Sequence, residues 1–266
     1  NKKIILESNL YKEDNLTKLI YLNDAPLQHP NFLPCYFLCN QAKKDNIKVL
    51  ISGDGADEFF SGYKWLSEEF ESNYVYQIIE NSAFNKIDNI KKLFRFNSIN
   101  LDKRKDYISK LDAGRIPNPN LLKAHIYMQR FYLQKWLRRQ DRTGMSNGIE
   151  IRVPFCDFNL IKLYLGTRIT NLKEFSGEKK DLKKIAENYL SKEIIYRKKI
   201  GFPLPLEDLF SNEGILNYIS NLLKNKKFIN FPEILNIDFA AEIAKNHLNK
   251  KSKNGRLLWT IYNTEL

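Results

Sequence analysis

The run Ile47-Lys48-Val49-Leu50-Ile51-Ser52-Gly53-Asp54-Gly55-Ala56-Asp57-Glu58 decides the fold. Its first five residues are largely β-branched and apolar, which predicts a strand buried on both faces of a parallel sheet. The strand stops at an acidic, glycine-containing turn, and Phe59-Phe60 through Phe70 then reads as helix. Strand, glycine turn and helix make the α/β arrangement, with ligands expected at the carboxyl ends of the strands. Two glycines let the backbone approach a ligand closely, and the following helix N-terminus offers free N–H groups to phosphate. Asp54, Asp57 and Glu58 pull the other way, because bare carboxylates repel phosphate. A Mg²⁺ between them resolves the conflict, since carboxylate and phosphate oxygens together complete its octahedron. The alternative is a plain strand-to-helix turn with Asp57 and Glu58 as acidic helix-start residues. The turn alone leaves both readings open.

Upstream, a short strand at Ile4-Ile5-Leu6 precedes a helix from about Leu16 to Leu22, which Asn23-Asp24-Ala25-Pro26 breaks. A second helix is predicted from Phe32 to Lys44. Beyond residue 75 strand signals fade, and helices are predicted at about 120–140, 158–165, 178–190, 213–224 and 237–248. In the 178–190 helix, Leu182, Ile185, Ala186, Tyr189 and Leu190 follow an amphipathic stripe. Segment 81–119 is rich in Asn, Lys and Asp and reads as a mobile excursion. The expected organisation is an α/β nucleotide-binding part over 1–75 and a mainly helical part over 76–266.

Two further segments carry candidate chemistry. Arg197-Lys198-Lys199-Ile200-Gly201-Phe202-Pro203 is a basic loop whose cations could neutralise charge on a transferring phosphate, or simply face solvent. From Asp141 to Asp157, Glu150 and Arg152 alternate with Ile149, Ile151 and Val153 as along an extended segment. They read as a buried, mutually paired scaffold, with Asp157 capping the next helix.

Composition narrows the function classes. With 266 residues and 43% hydrophobic content the chain can bury a core, so wholesale disorder is excluded. No run of about 18 apolar residues is present, so no membrane-spanning helix is expected. Lys+Arg 43 against Asp+Glu 31 gives a net charge of +12. The cations are scattered in short runs among Asp and Asn, which describes a solvated surface rather than a nucleic-acid interface. Three cysteines, Cys35, Cys39 and Cys156, make no disulfide framework and read as buried thiols of a reduced, cytoplasmic protein. The chain begins with Asn1 rather than Met, so a truncated polypeptide is expected.

Taken together these blocks resemble a known family. Ser52-Gly53-Asp54-Gly55-Ala56-Asp57-Glu58-Phe59-Phe60-Ser61-Gly62-Tyr63 resembles the SGxGxDExFxGY segment of glutamine-hydrolysing asparagine synthetases. Asp141 to Asp157 is similar to that family's DRxSMxxGxExRxPFLD segment, with Cys156 in the usual Leu place. Gly177-Glu178-Lys179 with Leu182-Lys183-Lys184 resembles its GxxKxxLRxA helix, and Arg197 to Phe202 its RxKxGF loop. Asn23-Asp24-Ala25-Pro26 is similar to its upstream DEP segment.

The resemblance implies an α/β, incomplete parallel-sheet, adenine-nucleotide fold of the PP-loop ATPase-like type. It implies an ATP- and Mg²⁺-dependent ligase that forms β-aspartyl-AMP from aspartate and aminolyses it with ammonia from glutamine. On matching positions, Ser52, Gly53 and Gly55 would contact ATP, Asp57 would hold the Mg²⁺ and Asp54 would support acyl-adenylate chemistry. Lys199 would neutralise the phosphates, with Glu58, Asp24, Arg197 and Lys179 as further site residues. The family's SGGxDS loop and N-terminal glutaminase domain have no counterpart in this sequence, so the chain alone is expected to be inactive. Related adenylating amidotransferases or cyclases of the β-lactam or lasso-peptide type, and a non-catalytic scaffold, are the alternatives. Asp54 favours the asparagine branch, because β-lactam-forming relatives carry Tyr there. Oligomeric state stays open, a homodimer being one arrangement.

Overall fold

The computed structural model describes residues 10–11, 13–63, 85–95, 101–111, 119–168, 179–198, 206–211, 217, 219–221, 224 and 233–266. The expected strand at residues 4–6, most of the helix at 213–224 and Lys199 lie outside them.

Helices α1 (Glu13–Asn23) and α2 (Phe32–Lys44) lead to strand β1 (Val49–Ile51) and the short helix α3 (Ala56–Phe59). Helices α4 (Ile87–Leu93), α5 (Leu101–Lys110) and α6 (Pro119–Tyr127) follow. A π-helical turn at Met128–Tyr132 joins α6 to α7 (Leu133–Met145). Strand β2 (Glu150–Arg152) precedes a 3-10 turn at Pro154–Cys156 and α8 (Phe158–Arg168). The chain continues through α9 (Lys180–Ala186), α10 (Lys192–Ile195), α11 (Leu206–Leu209), α12 (Ile237–Leu248) and α13 (Gly255–Glu265).

The fold is mixed α/β. Strands β1 and β2 pair in parallel, with Leu50 opposite Ile151, and the Ser52 N–H extends the ladder by donating to the Arg152 carbonyl at 2.8 Å. One face packs Leu50 and Ile151 onto Cys39, Ala42 and Ile149, so α2 and α7 lie against it. The expectation of a strand buried on both faces is corrected: Val49 is 39% and Ile51 78% exposed. Alternate residues of a strand point to opposite faces, and no described element covers the Val49–Ile51 side. The Glu150–Arg152 pair forms as expected, at 2.9 Å, but on this uncovered side it is exposed rather than buried.

The main core is helical. It gathers Leu16 and Leu19 of α1, Phe32 and Leu33 of α2, Ile243 of α12, and Leu258, Trp259, Ile261 and Tyr262 of α13. Asn263 fastens α13 to the loop after α1: its Oδ1 accepts from the Leu27 N–H at 2.9 Å and its Nδ2 donates to the Leu27 carbonyl at 3.0 Å. Helix α12 starts where its cap dictates, the Asn236 side chain accepting from the Phe239 N–H.

Three further expectations are met only in part by the described residues. Among the described residues of segment 81–119 are helices α4 and α5, anchored where Leu93 and Ile108 are fully buried. Of the helix expected from Phe59 to Phe70, residues 64–70 lie outside the described residues; before them, α3 starts earlier than expected, at Ala56, and ends at Phe59, with Ser61 at a left-handed φ of 54°. The apolar stripe of residues 178–190 is only partly used. Leu182 packs on the Phe59–Phe60–Leu133 cluster, whereas Ile185, Tyr189 and Leu190 are exposed.

Candidate active site

The site lies at the carboxyl end of β1, where the chain leaves the sheet through Ser52–Glu58. The Ser52 hydroxyl donates to Asp54 Oδ2 at 2.6 Å and accepts from the Asp54 N–H at 3.3 Å. The turn then needs a left-handed residue, and Gly55 supplies it at φ 93° as the residue before α3. A Cβ on Gly55 would stand 2.6 Å from Cys156 Sγ, so two constraints fix glycine here. Gly53 is different: a Cβ there would meet nothing within 4 Å, so packing does not demand glycine.

Helix α7 supplies the side chains that hold this turn. Gln140 Nε2 donates to the Ser52 hydroxyl at 3.0 Å and also to Asp54 Oδ2. Arg139 Nη2 stands 3.4 Å from Asp54 Oδ1, with its guanidinium stacked 4.9 Å from the centroid of the Trp136 ring. One turn apart on the same helix, Arg138 and Arg142 reach the Asn23–Asp24 corner. Arg138 donates to the Asn23 carbonyl, and Arg142 pairs with Asp24 at 2.7 Å on the surface. Asp24 has a left-handed φ of 53°. One helix therefore braces two loops that lie about thirty residues apart in the chain. Arg139 and Gln140 escape sequence reasoning, because inside a predicted helix they look like ordinary surface residues.

Asp57 sits on α3 with its Oδ1 3.0 Å from Lys179 Nζ, both side chains about one-quarter exposed. Lys179, left-handed at φ 58°, is the residue before α9. The structure thus brings together two candidates that are more than a hundred residues apart in sequence. Glu58, next to Asp57, points the other way. It is buried, accepts from the Tyr63 hydroxyl at 2.6 Å, and burial raises its pKa above the usual carboxylate range against the opposing pull of that hydrogen bond. Tyr63 in turn meets the ring of Tyr132, in the π-helical turn, edge-on at 5.7 Å. Such turns often mark functional sites. Arg197 is exposed, and Lys199 lies outside the described residues.

The three cysteines are free, and burial raises all three thiols, Cys39 and Cys156 to about 11. Raised thiols are poorly reactive, but only Cys39 is buried as expected; Cys35 and Cys156 are half-buried. The Asp157 side chain accepts from the N–H groups of Asn159 and Leu160, each at 3.0 Å, capping α8 as expected.

Among the described residues no group of three or more His, Cys, Asp or Glu side chains could cage a metal. Mg²⁺ does not need one. It takes one or two carboxylates and lets phosphates and waters fill its octahedron, so the Asp57 carboxylate fits a metal that arrives with phosphate.

These features define a mixed α/β protein with an acidic glycine turn at the end of a parallel strand, braced by a basic helix. The chain belongs to the asparagine synthase family, whose model matches residues 2–266. It is 25% identical over 295 residues to asparagine synthetase [glutamine-hydrolyzing] 1 of Bacillus subtilis, covering 93% of this chain and 44% of that protein. A putative asparagine synthetase [glutamine-hydrolyzing] of Mycobacterium tuberculosis is 24% identical over 286 residues, covering 92% and 43% respectively. Asparagine synthetase [glutamine-hydrolyzing] 3 of Bacillus subtilis is 28% identical over 215 residues, 76% of this chain and 33% of that protein. The chain spans less than half the length of these curated relatives. No described helix is long and apolar enough to cross a membrane.

Proposed function

We propose that this chain is the synthetase portion of an enzyme that makes asparagine from aspartate and ATP, with ammonia drawn from glutamine. The observation that carries the reading is the division of the Ser52–Glu58 turn. Asp54 is held by Ser52, Gln140 and Arg139, while Asp57 is held apart against Lys179. Membership of the asparagine synthase family supports it, as do the names of the relatives.

In this reading the fold is of the PP-loop ATPase-like type. The aspartate β-carboxylate attacks the α-phosphorus of ATP, forming β-aspartyl-AMP and releasing pyrophosphate. Ammonia then attacks the activated carbonyl, AMP leaves with the electron pair of the C–O bond, and one proton is lost. Gly53 leaves room for the nucleotide, in agreement with the open space where its Cβ would stand. Ser52 and the Gly55 backbone line the same turn. Mg²⁺, when bound, draws charge from the pyrophosphate, and Asp57 is the side chain that would hold it. Lys179 stands ready to pass from Asp57 to a phosphate oxygen. Lys199, Arg197 and Lys198 supply further cations, and Asp54, fixed by three donors, is oriented toward the acyl-adenylate.

Residues 1–75 then contribute the nucleotide turn and 76–266 the bracing helix and the Lys199 loop, joined through the β1–β2 pair. Drawing the ammonia from glutamine also needs a glutamine-hydrolysing part, in keeping with the names of the relatives, whereas added ammonia bypasses that step. Full-length protein given aspartate, MgATP and ammonia should release pyrophosphate and asparagine. Pyrophosphate release with another acid but not with aspartate would move the assignment to a related adenylating amidotransferase or cyclase.

A further inference from the structure

We propose that Gly62 is a positioning residue, whose lack of a side chain seats the Asp57 carboxylate against Lys179. An ideal Cβ built on Gly62 would lie 1.8 Å from Asp57 Oδ1, 2.6 Å from Asp57 Cγ and 2.5 Å from Lys179 Cε. No non-bonded pair of atoms tolerates such distances, so a side chain at 62 and the observed Asp57–Lys179 pair exclude each other. Backbone strain is not the reason for glycine. Gly62 has no left-handed φ; the residue before it, Ser61, takes that conformation at 54°. The Gly62 N–H donates to the Asp57 carbonyl at 2.9 Å, so the same residue closes the turn below the pair.

Of the two side chains that alanine would displace, the carboxylate has less freedom. Lys179 carries its ammonium on a four-carbon stem, whereas Asp57 has two rotatable bonds and is fixed to α3. A methyl group at 62 therefore turns the carboxylate out of place more than it unfolds the protein. Loss of the partly exposed ion pair itself costs little stability. The cost falls on whatever the carboxylate binds, so the functional consequence rests on the reading of Asp57 as the metal-holding residue.

The test uses full-length Gly62→Ala, Asp57→Ala and the double variant. A crystal structure of Gly62→Ala should show Asp57 and Lys179 separated beyond 4 Å, with the melting temperature within about 3 °C of wild type. Mn²⁺·ATP binding, read by electron paramagnetic resonance, should weaken about tenfold, the usual size of an outer-shell change at a metal site. In the Asp57→Ala background, Gly62→Ala should cause no further weakening. A pair that survives at hydrogen-bond distance in the Gly62→Ala crystal overturns the inference, as does equal weakening in both backgrounds. An Asp57→Ala protein that binds Mn²⁺·ATP like wild type instead overturns the assignment of Asp57, and the crystal structure still decides on Gly62.

Discussion

Arg139 approaches Asp54 to 3.4 Å from a position only 8% exposed, and its Nε has no hydrogen-bond partner among the described residues. A buried guanidinium with so few partners is costly unless its charge is answered. Asp54 provides that answer, and the Trp136 ring face adds to it. Arg139→Met should release one side of Asp54 while keeping the volume of the stem. We expect kcat to fall about tenfold or more with little change in KM for ATP, since the role proposed for Asp54 is in acyl-adenylate chemistry rather than in ATP binding. Steady-state kinetics of full-length enzyme check this. A loss confined to KM would place Arg139 in nucleotide binding.

Gly53 and Gly55 should respond to alanine in opposite ways. Gly55→Ala meets both a φ of 93° and the Cys156 thiol, and should destabilise the protein by about 2 kcal/mol or more. Gly53→Ala meets open space, and should leave the melting temperature nearly unchanged. If nucleotide passes over Gly53, its alanine variant should nonetheless bind ATP about tenfold more weakly. Calorimetric melting and ATP titration of the two variants separate packing from binding.

Acid should weaken the fold through His125. Burial pushes this histidine down to about 4, against the pull of its contact with the Glu58 carbonyl. Its folded pKa thus lies below the unfolded value of about 6.5. The unfolded chain takes up the proton first, so stability is fully present above pH 6.5 and is lost as pH falls toward 4. The loss is on the order of 3 kcal/mol by pH 4. Glu58, raised by burial, has the opposite sign, its contribution falling as pH rises above the ordinary carboxylate range. The difference in melting temperature between wild type and His125→Gln removes the Glu58 contribution. That difference should decline from pH 7 to pH 4, and a flat line would contradict a buried neutral His125.

Where sequence and structure agree, the local signal and the tertiary environment ask for the same thing. Helix α12 combines apolar residues at helical spacing with Asn236 as its cap, and matches expectation at both ends. The β1 turn was legible because Gly55 must be left-handed there, whatever surrounds it. Helix α13 was not foreseen. Leu257, Leu258, Trp259, Ile261 and Tyr262 are all buried, and the polar stripe of Arg256, Thr260 and Thr264 that marks the helical period is narrow, so the apolar run between these residues hides it in the sequence. The strand burial was overestimated because an apolar run records what a segment can pack against, not what covers it. Within the site, Asp54 and Asp57 were visible as carboxylates in a glycine turn. Arg139 and Gln140 were not, because only the packing of α2 and α7 on the sheet brings them to that turn.

Asn263 uses both ends of its amide on the peptide groups of Leu27, and residue 263 is buried. Its removal leaves the Leu27 N–H and carbonyl unsatisfied, each at a cost of about 1–3 kcal/mol. Asn263→Ala should therefore destabilise the protein by about 2–4 kcal/mol and lower its melting temperature by about 5–10 °C. Asn263→Asp keeps the acceptor for the Leu27 N–H but places a carboxylate oxygen against the Leu27 carbonyl, so it should be at least as harmful as alanine near neutral pH. Unlike alanine, it should recover in acid, where the protonated carboxyl can donate to that carbonyl. Thermal melts of both variants at pH 7 and pH 5 decide it. Equal, pH-independent losses would show that packing around α13, rather than this amide pair, fixes the loop that carries Asp24 toward Arg142.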